Sequence, residues 1–338
     1  MPAATYPEIA AAAPVRGDGA LGALLHGAGF ASLDDVAWIR VTGDDRGRWL
    51  NGMVSNSIQD LGSGEGCYNF VLSAQGRIQG DLTAYVVEDS ILLQTGSEQV
   101  EKLKALLDRF IIMDDVELAR VDAFRAGIEV AGPKAAACLI AAGAPEPPLD
   151  PMRLATFEWK GEALTSIHGY SPLVTRYEIW GSTIAIADFA QALAGAGAIP
   201  TPRDAWEHLR MLEGTPRYGV DIRDRELPQE TNQTRALHFA KGCYLGQEIV
   251  ERIRSRGAVH RIFSGFELTG TLPAPGSALE AEGKAVGEVT SVATVPGEGF
   301  ETIMLALGYV RREALEHGLA ITYPGGTARA MALPRRSL

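Results

Sequence analysis

Cysteine is scarce in this chain of 338 residues: Cys67, Cys138 and Cys243 are all it has. An odd number at wide spacing excludes a disulfide framework and points to reduced thiols and a cytoplasmic location. No CxxC pair occurs, the six histidines form no HxxxH, and three thiolates are fewer than a self-ligated iron–sulfur cluster takes, so no metal site is expected. Positive charge is in deficit, with 31 Lys and Arg against 42 Asp and Glu and a net charge of −11. That lacks the basic excess needed to track a phosphate backbone, and no direct nucleic-acid partner is expected. No apolar run reaches transmembrane length and no repeat of fixed period appears, so neither a membrane partner nor a solenoid is expected.

What is present is ordinary for a soluble globular protein, 46% apolar and 22% charged. The length predicts roughly two or three domains. "MPAATYPEIAAAAPVRGDGA" has neither a basic start nor a continuous apolar stretch, and reads as a flexible tail over residues 1–19 rather than a signal peptide. "GDGALG" fits GxGxxG literally, but no strand precedes it; it reads as a glycine-rich turn before the helical "ALLHGAGF". "DDVAWIRVTG" predicts a strand, and "DDRGRWLNGMVSNSIQDL" a helix starting at Asp44 or Asp45. "GCYNFVLSAQGRIQGDLTAYVVEDSILLQTG" predicts an antiparallel meander of three strands. A helix capped by Ser97 follows, with Val100, Leu103, Leu107 and Phe110 on one face. Cys138 falls on the apolar side of another helix and reads as a core residue. After Gly257 the chain turns to short strands with Gly-rich turns, the pattern of a small closed β domain. The fold class is therefore α+β with mainly antiparallel sheets, and a C-terminal β-barrel over 260–338.

The stretch "KGCYLGQEIVERIRSRG" concentrates the chemistry. Gly242 and Gly246 permit close backbone approach, and Gln247 to Ser255 have helical periodicity ending at Gly257. Cys243 thus falls in a turn before a helix N-terminus, where free amides favour an anion. Near Lys241 and Arg252 the thiol would be biased toward thiolate. Two readings are open, and spacing alone favours the second. Either Cys243 is a reactive or metal-handling thiolate, or its loop holds an anionic ligand; or it packs in a tight turn beside an exposed basic helix face.

Lys241, Gly242, Cys243, Tyr244, Gly246, Gln247 and Glu248, then Arg252, resemble the signature KGCYxGQExxxR of the YgfZ-type folate-binding proteins, relatives of the T-protein (aminomethyltransferase) of the glycine cleavage system. "LNGMVSNSIQDL", "YNFVLSAQGRIQGDL", "AGAIPTPRDAWEHLRMLEGTPRYGVDI", "LPQET" and "LALGYV" follow the wider family in order, so the likeness spans nearly all of the chain after the tail. The resemblance implies an aminomethyltransferase-like tripartite ring around a channel for tetrahydrofolate or a derivative, with residues 20–259 as two intertwined α+β subdomains. It also implies an accessory role in iron–sulfur cluster assembly or repair, with effects on tRNA-modifying enzymes, and iron–sulfur assembly proteins or client enzymes as partners.

A reduced pteridine presents a donor-rich edge that a carboxylate recognises with paired hydrogen bonds, and a ring that aromatic walls sandwich. Asn56, Tyr68, Asn69, Asp81 and Tyr218 are the candidates for these duties, and Cys243 is the candidate functional thiol. The chain departs from the transferase pattern at three acids. "GRIQGDL" keeps Asp81 behind Gly80 where the transferase has twin aspartates; "GYSPL" places Leu173, and "RMLEG" places Leu212, at acid positions. Glu213 comes one residue late, which on a helix turns a side chain by about 100°. Aminomethyl transfer is therefore not expected. A folate-dependent aminomethyltransferase or demethylase using other acids, and a pure docking module, are the alternatives.

Overall fold

Along Ile78–Val86 buried and half-buried side chains alternate, as in a strand with one face on a core. Gly66–Leu72 and Ile91–Gly96 pair with it antiparallel on either side, the expected meander. The computed structural model describes residues 18–121, 125–257, 259–297 and 302–336; residues 1–17 of the expected tail lie outside these. The chain divides into two compact units, Met1–Asp34 with Asp122–Glu207, and Asp35–Val121 with His208–Leu338.

The first unit holds a six-stranded sheet in the order Ile199–Pro200, Gly29–Ser32, Ala126–Ala131, Arg176–Gly181, Glu162–His168, Arg153–Trp159. All its pairs are antiparallel except the first. Helices Ala135–Ala141 and Thr183–Gly195 bury their apolar faces with Ile128, Val130, Leu164 and Ile179, and Cys138 is part of that core. Ser182 caps the second helix by accepting a hydrogen bond from the Ala185 N–H at 3.2 Å.

In the second unit the meander is extended by Val36–Thr42 and Glu117–Arg120 into a five-stranded sheet. Trp49 and Leu50 of helix Arg46–Met53, and Val100, Leu103 and Leu107 of helix Val100–Asp108, fill its core. Six strands from Arg261–Gly270 to Gly326–Met331 close into a barrel around Phe266, Leu279, Val289 and Val310. Asp221, wholly buried, joins the barrel to the rest of this unit. Its carboxylate accepts from Arg210 at 2.7 Å, from the Arg217 N–H at 2.9 Å and from Ser291 Oγ at 2.7 Å.

Two local expectations are corrected. "GDGALG" is not a turn: Asp18–His26 is a helix, because Ala20, Leu21, Ala23 and Leu24 bury one side and tertiary packing outweighs the glycines' poor propensity. Ser97 does not cap the helix that begins at Val100; Gln99 holds the N-cap position, and the Ser97 N–H is taken by the Asp35 carbonyl at 2.9 Å. Among the described residues no helix is long and apolar enough to cross a membrane.

Removing Asp221 would take away the carboxylate paired with the largely buried Arg210 guanidinium. Asp221→Ala is expected to lose about 3–5 kcal/mol in urea unfolding; a loss within the range of an exposed ion pair, roughly 0–1 kcal/mol, would contradict this reading of the joint.

Candidate functional site

Strand register sets the centre of the site. Tyr68 lies opposite Thr83 and Phe70 opposite Asp81, so Tyr68 and Asp81 are diagonal neighbours on one face. The Tyr68 hydroxyl donates to one Asp81 oxygen at 2.6 Å, and Gln99 Nε2 donates to the other at 2.6 Å. Gly80 eases the second contact: a Cβ there would lie 2.4 Å from Leu103 Cδ2 and 2.9 Å from Gln99 Oε1, so a larger residue would have to push these side chains back. The Arg235 guanidinium sits 4.1 Å from the centroid of the Tyr68 ring.

Tyr68 and Asp81 are only half-buried, yet the surroundings of both disfavour their charged forms. Burial pushes the Asp81 carboxyl above its usual range even though Tyr68, Gln99 and Arg235 favour its charged form. Burial, reinforced by the charge of Asp81, pushes the Tyr68 phenol well up. We read this combination, partial exposure in desolvating surroundings, as a recess in the surface. Tyr218 lies in the apolar cluster with Phe70, Leu72 and Ile78 against which Tyr68 packs. Its hydroxyl touches Asp224 and the Gln79 carbonyl at 2.8 Å, and accepts from Lys102 Nζ at 2.7 Å.

Asn56 and Asn69 are brought beside Tyr68, but their amides are spent on the protein. Asn56 Nδ2 donates to the carbonyls of Tyr68 at 3.1 Å and Arg235 at 2.9 Å, and its Oδ1 accepts the Ser57 N–H at 2.9 Å. Asn69 Oδ1 accepts the Asn56 N–H at 2.9 Å, while its Nδ2 donates to the Cys67 carbonyl at 2.8 Å and reaches Cys67 Sγ at 3.3 Å. Both order the backbone that presents Tyr68.

The signature loop precedes helix Gln247–Arg256. Gly246 has φ +81°, and a Cβ there would fall 2.5 Å from the Ser73 carbonyl oxygen, so this position requires glycine. Gln247 Oε1 accepts the Tyr244 N–H at 3.3 Å, and Gly242, Cys243, Glu248 and Arg252 are exposed. Tyr244 is buried and its phenol is pushed up to about 12; its hydroxyl has no hydrogen-bond partner among the described residues. Lys241 departs from expectation. Its ammonium does not serve the Cys243 thiol but donates to the carbonyls of Asn51 at 2.6 Å, Val54 at 2.9 Å and Asn56 at 2.6 Å, spending all three protons. Desolvation lowers it to about 8, against the opposing influence of Cys67 and Asp60.

Gln99, Arg235 and Cys67 were not singled out by sequence reasoning. Gln99 and Arg235 sit in unremarkable local sequence, and only the fold brings them to Asp81 and Tyr68. Cys67 is half-buried, with its thiol pushed up to about 11 by burial. Of the acid positions, Leu212 is wholly buried, and Glu213 is buried with partners of its own. Leu173 lies in the first unit, half-buried. No cluster of three or more His, Cys, Asp or Glu suited to a metal occurs among the described residues.

The GCVT N-terminal domain family matches residues 21–241. The chain is 27% identical over 320 residues to a chloroplastic protein of Arabidopsis thaliana provisionally named a transferase, covering 90% of this chain and 70% of that one. It is 28% identical over 242 residues to the mitochondrial iron–sulfur cluster assembly factor IBA57 homologue of Pyricularia oryzae; the match covers 69% of this chain and spans 56% of that protein's length. The crystal structure of glycine cleavage system aminomethyltransferase T from Bartonella henselae superposes with a TM-score of 0.82 at 21% identity, covering 94% of this chain and 88% of that one. The architecture is thus an aminomethyltransferase-like α+β fold with antiparallel sheets and a closed six-stranded C-terminal barrel.

Exposure separates the three thiols. Iodoacetamide at about pH 8 is expected to modify Cys243 first, with Cys67 and Cys138 protected by burial and raised thiol pKa, as read by peptide mass spectrometry. Equal rates at Cys67 and Cys243 would contradict the geometry.

Proposed function

Because the chain belongs to the GCVT N-terminal domain family, we propose that it is a tetrahydrofolate-binding accessory protein of the YgfZ type, with Cys243 as its working thiol. It supports iron–sulfur cluster assembly or repair, and through that tRNA-modifying enzymes. One observation carries this reading: Asp81 is a desolvated carboxylate that is still half-open, fixed at both oxygens by Tyr68 and Gln99. A carboxylate offers roughly four lone-pair sites, so two remain for the donor edge of a reduced pteridine. Tyr68, with Arg235 against its ring, offers a face for the pteridine, and the Arg235 cation suits a ligand bearing carboxylates.

A bound tetrahydrofolate would supply one-carbon chemistry at its ring nitrogens. What this chain's residues contribute is recognition, orientation and partial exclusion of water. Fast aminomethyl transfer needs a further carboxylate fixed near those nitrogens. Leucine stands at two positions where the transferase pattern has acids, and Glu213, one residue out of register, is buried. The iron–sulfur side of the proposal is supported by the assembly factor among the relatives. On this reading an iron–sulfur cluster is cargo met at the exposed Cys243.

Calorimetric titration with tetrahydrofolate tests the ligand. Hydrogen bonds to a charged group contribute about 1.5–3 kcal/mol, so Asp81→Ala should bind at least about tenfold more weakly than the wild type. Cys243→Ala should bind normally and fail to restore iron–sulfur enzyme activity in cells lacking the protein. Full restoration would remove Cys243 from the mechanism. No binding by the wild type would leave only a docking module, and turnover of methylene-tetrahydrofolate with an amine donor would establish the transferase reading instead.

A further inference from the structure

One short segment, residues 51–56, is bonded on both sides. On one side it meets the strand that carries Tyr68: the Ser55 N–H donates to the Phe70 carbonyl at 3.0 Å, and Ser55 Oγ accepts the Phe70 N–H at 2.8 Å. Asn56 adds its bonds to the Tyr68 carbonyl and to Asn69. On the other side it meets the chain from Arg235 to Leu245. Asn56 holds the Arg235 carbonyl, Ser55 Oγ donates to the Ala236 carbonyl at 2.6 Å, and the Ser55 carbonyl accepts the His238 N–H at 3.1 Å. Lys241 then grips three carbonyls of the segment, and the Leu245 N–H donates to the Gly52 carbonyl at 3.0 Å. Cys243 stands exposed midway between these last two anchors.

We propose that Lys241 is a positioning residue that couples the Tyr68–Asp81–Arg235 recess to the Cys243 loop, so that a ligand in the recess governs how the thiol is presented. The inference rests on the reading of the recess as a tetrahydrofolate site, and it adds to that reading a direction of control. Arg235 and Tyr68 are the groups a ligand would touch, and the backbone of each hangs on Asn56. The carbonyl of the same Asn56 is one of the three that Lys241 holds. Ordering the recess therefore orders the anchor of the loop. An ammonium is suited to this because it has one proton for each carbonyl; a neutral amine has one too few and turns a lone pair toward an oxygen. The other titratable groups facing it are Cys67, Asp60 and the Tyr244 ring, 5.0 Å away.

The test is the rate of Cys243 alkylation with and without saturating tetrahydrofolate, read by peptide mass spectrometry in the full chain. In the wild type at pH 7 the ligand is expected to slow alkylation by at least about fivefold, the lower range of site-to-site coupling. In Lys241→Met the ratio should fall to about one while tetrahydrofolate affinity stays within about threefold of the wild type. The wild type alone gives a second reading should that variant not fold: its ratio should decline toward about one between pH 7 and pH 9.5, because the ammonium, lowered to about 8, then loses its proton. Protection that persists in Lys241→Met, or at pH 9.5, would mean that the ligand masks Cys243 directly and would overturn the coupling. Binding without any change at Cys243 in the wild type would also overturn it and leave the folate site standing, whereas absence of binding would defeat the folate site itself.

Discussion

The arrangement of this molecule's chemistry depends on one constraint: the backbone of residues 51–57 leaves a helix end and must find partners for its polar groups. It finds them in two places. One is the strand bearing Tyr68, the other the loop bearing Cys243, and the link to the loop is an ammonium 190 residues away in sequence from the first carbonyl it holds. The helix C-terminus explains why a cation was needed there. Its last carbonyls carry partial negative charge and lack intrahelical partners. Lys241 answers both needs and is desolvated in doing so, which is why its charge is easier to remove than that of an exposed lysine.

The recess follows the opposite logic. Asp81 is kept where its charge is disfavoured, and Tyr68, Gln99 and Arg235 only partly compensate. The sign is that of a carboxyl whose folded pKa is raised. Its favourable share of stability is present at low pH, while the group is protonated, and is lost as pH rises through the folded value. At neutral pH the fold therefore carries a cost at Asp81. Structural sites seldom retain such a cost, while ligand sites often do. On the proposed reading, that asymmetry, more than the aromatic ring beside it, sets Asp81 apart from a well-packed polar residue. Asn69 makes the contrast, since it is fully buried and its amide is bonded to the protein at both ends.

Much of the fold could be read from the residues. The meander, the helices over 46–53 and 247–256, and the C-terminal barrel each announce themselves by period and by turn residues. The structure departs from that reading where packing overrides local preference, as in the glycine-bearing helix at Asp18, and where the helix starts later than the capping residue suggests, with Gln99 rather than Ser97 at the N-cap. The site was legible only in part. Tyr68 and Asp81 alternate on neighbouring strands and can be paired by register. Arg235 and Gln99 reach them only through the folded chain, and a lysine beside a cysteine reads naturally as an activator of the thiol. Only the fold turns it toward three carbonyls.

On the proposed reading Asp81 takes the donor edge of a reduced pteridine. The most direct measurement is the titration of the Asp81 carboxyl carbon by NMR, in the free protein and with tetrahydrofolate bound. In the free protein it should titrate above the ordinary aspartate value. With ligand it should move down, because hydrogen bonds to the charged form favour that form. A titration that is unchanged, or raised further, when tetrahydrofolate binds would contradict the account.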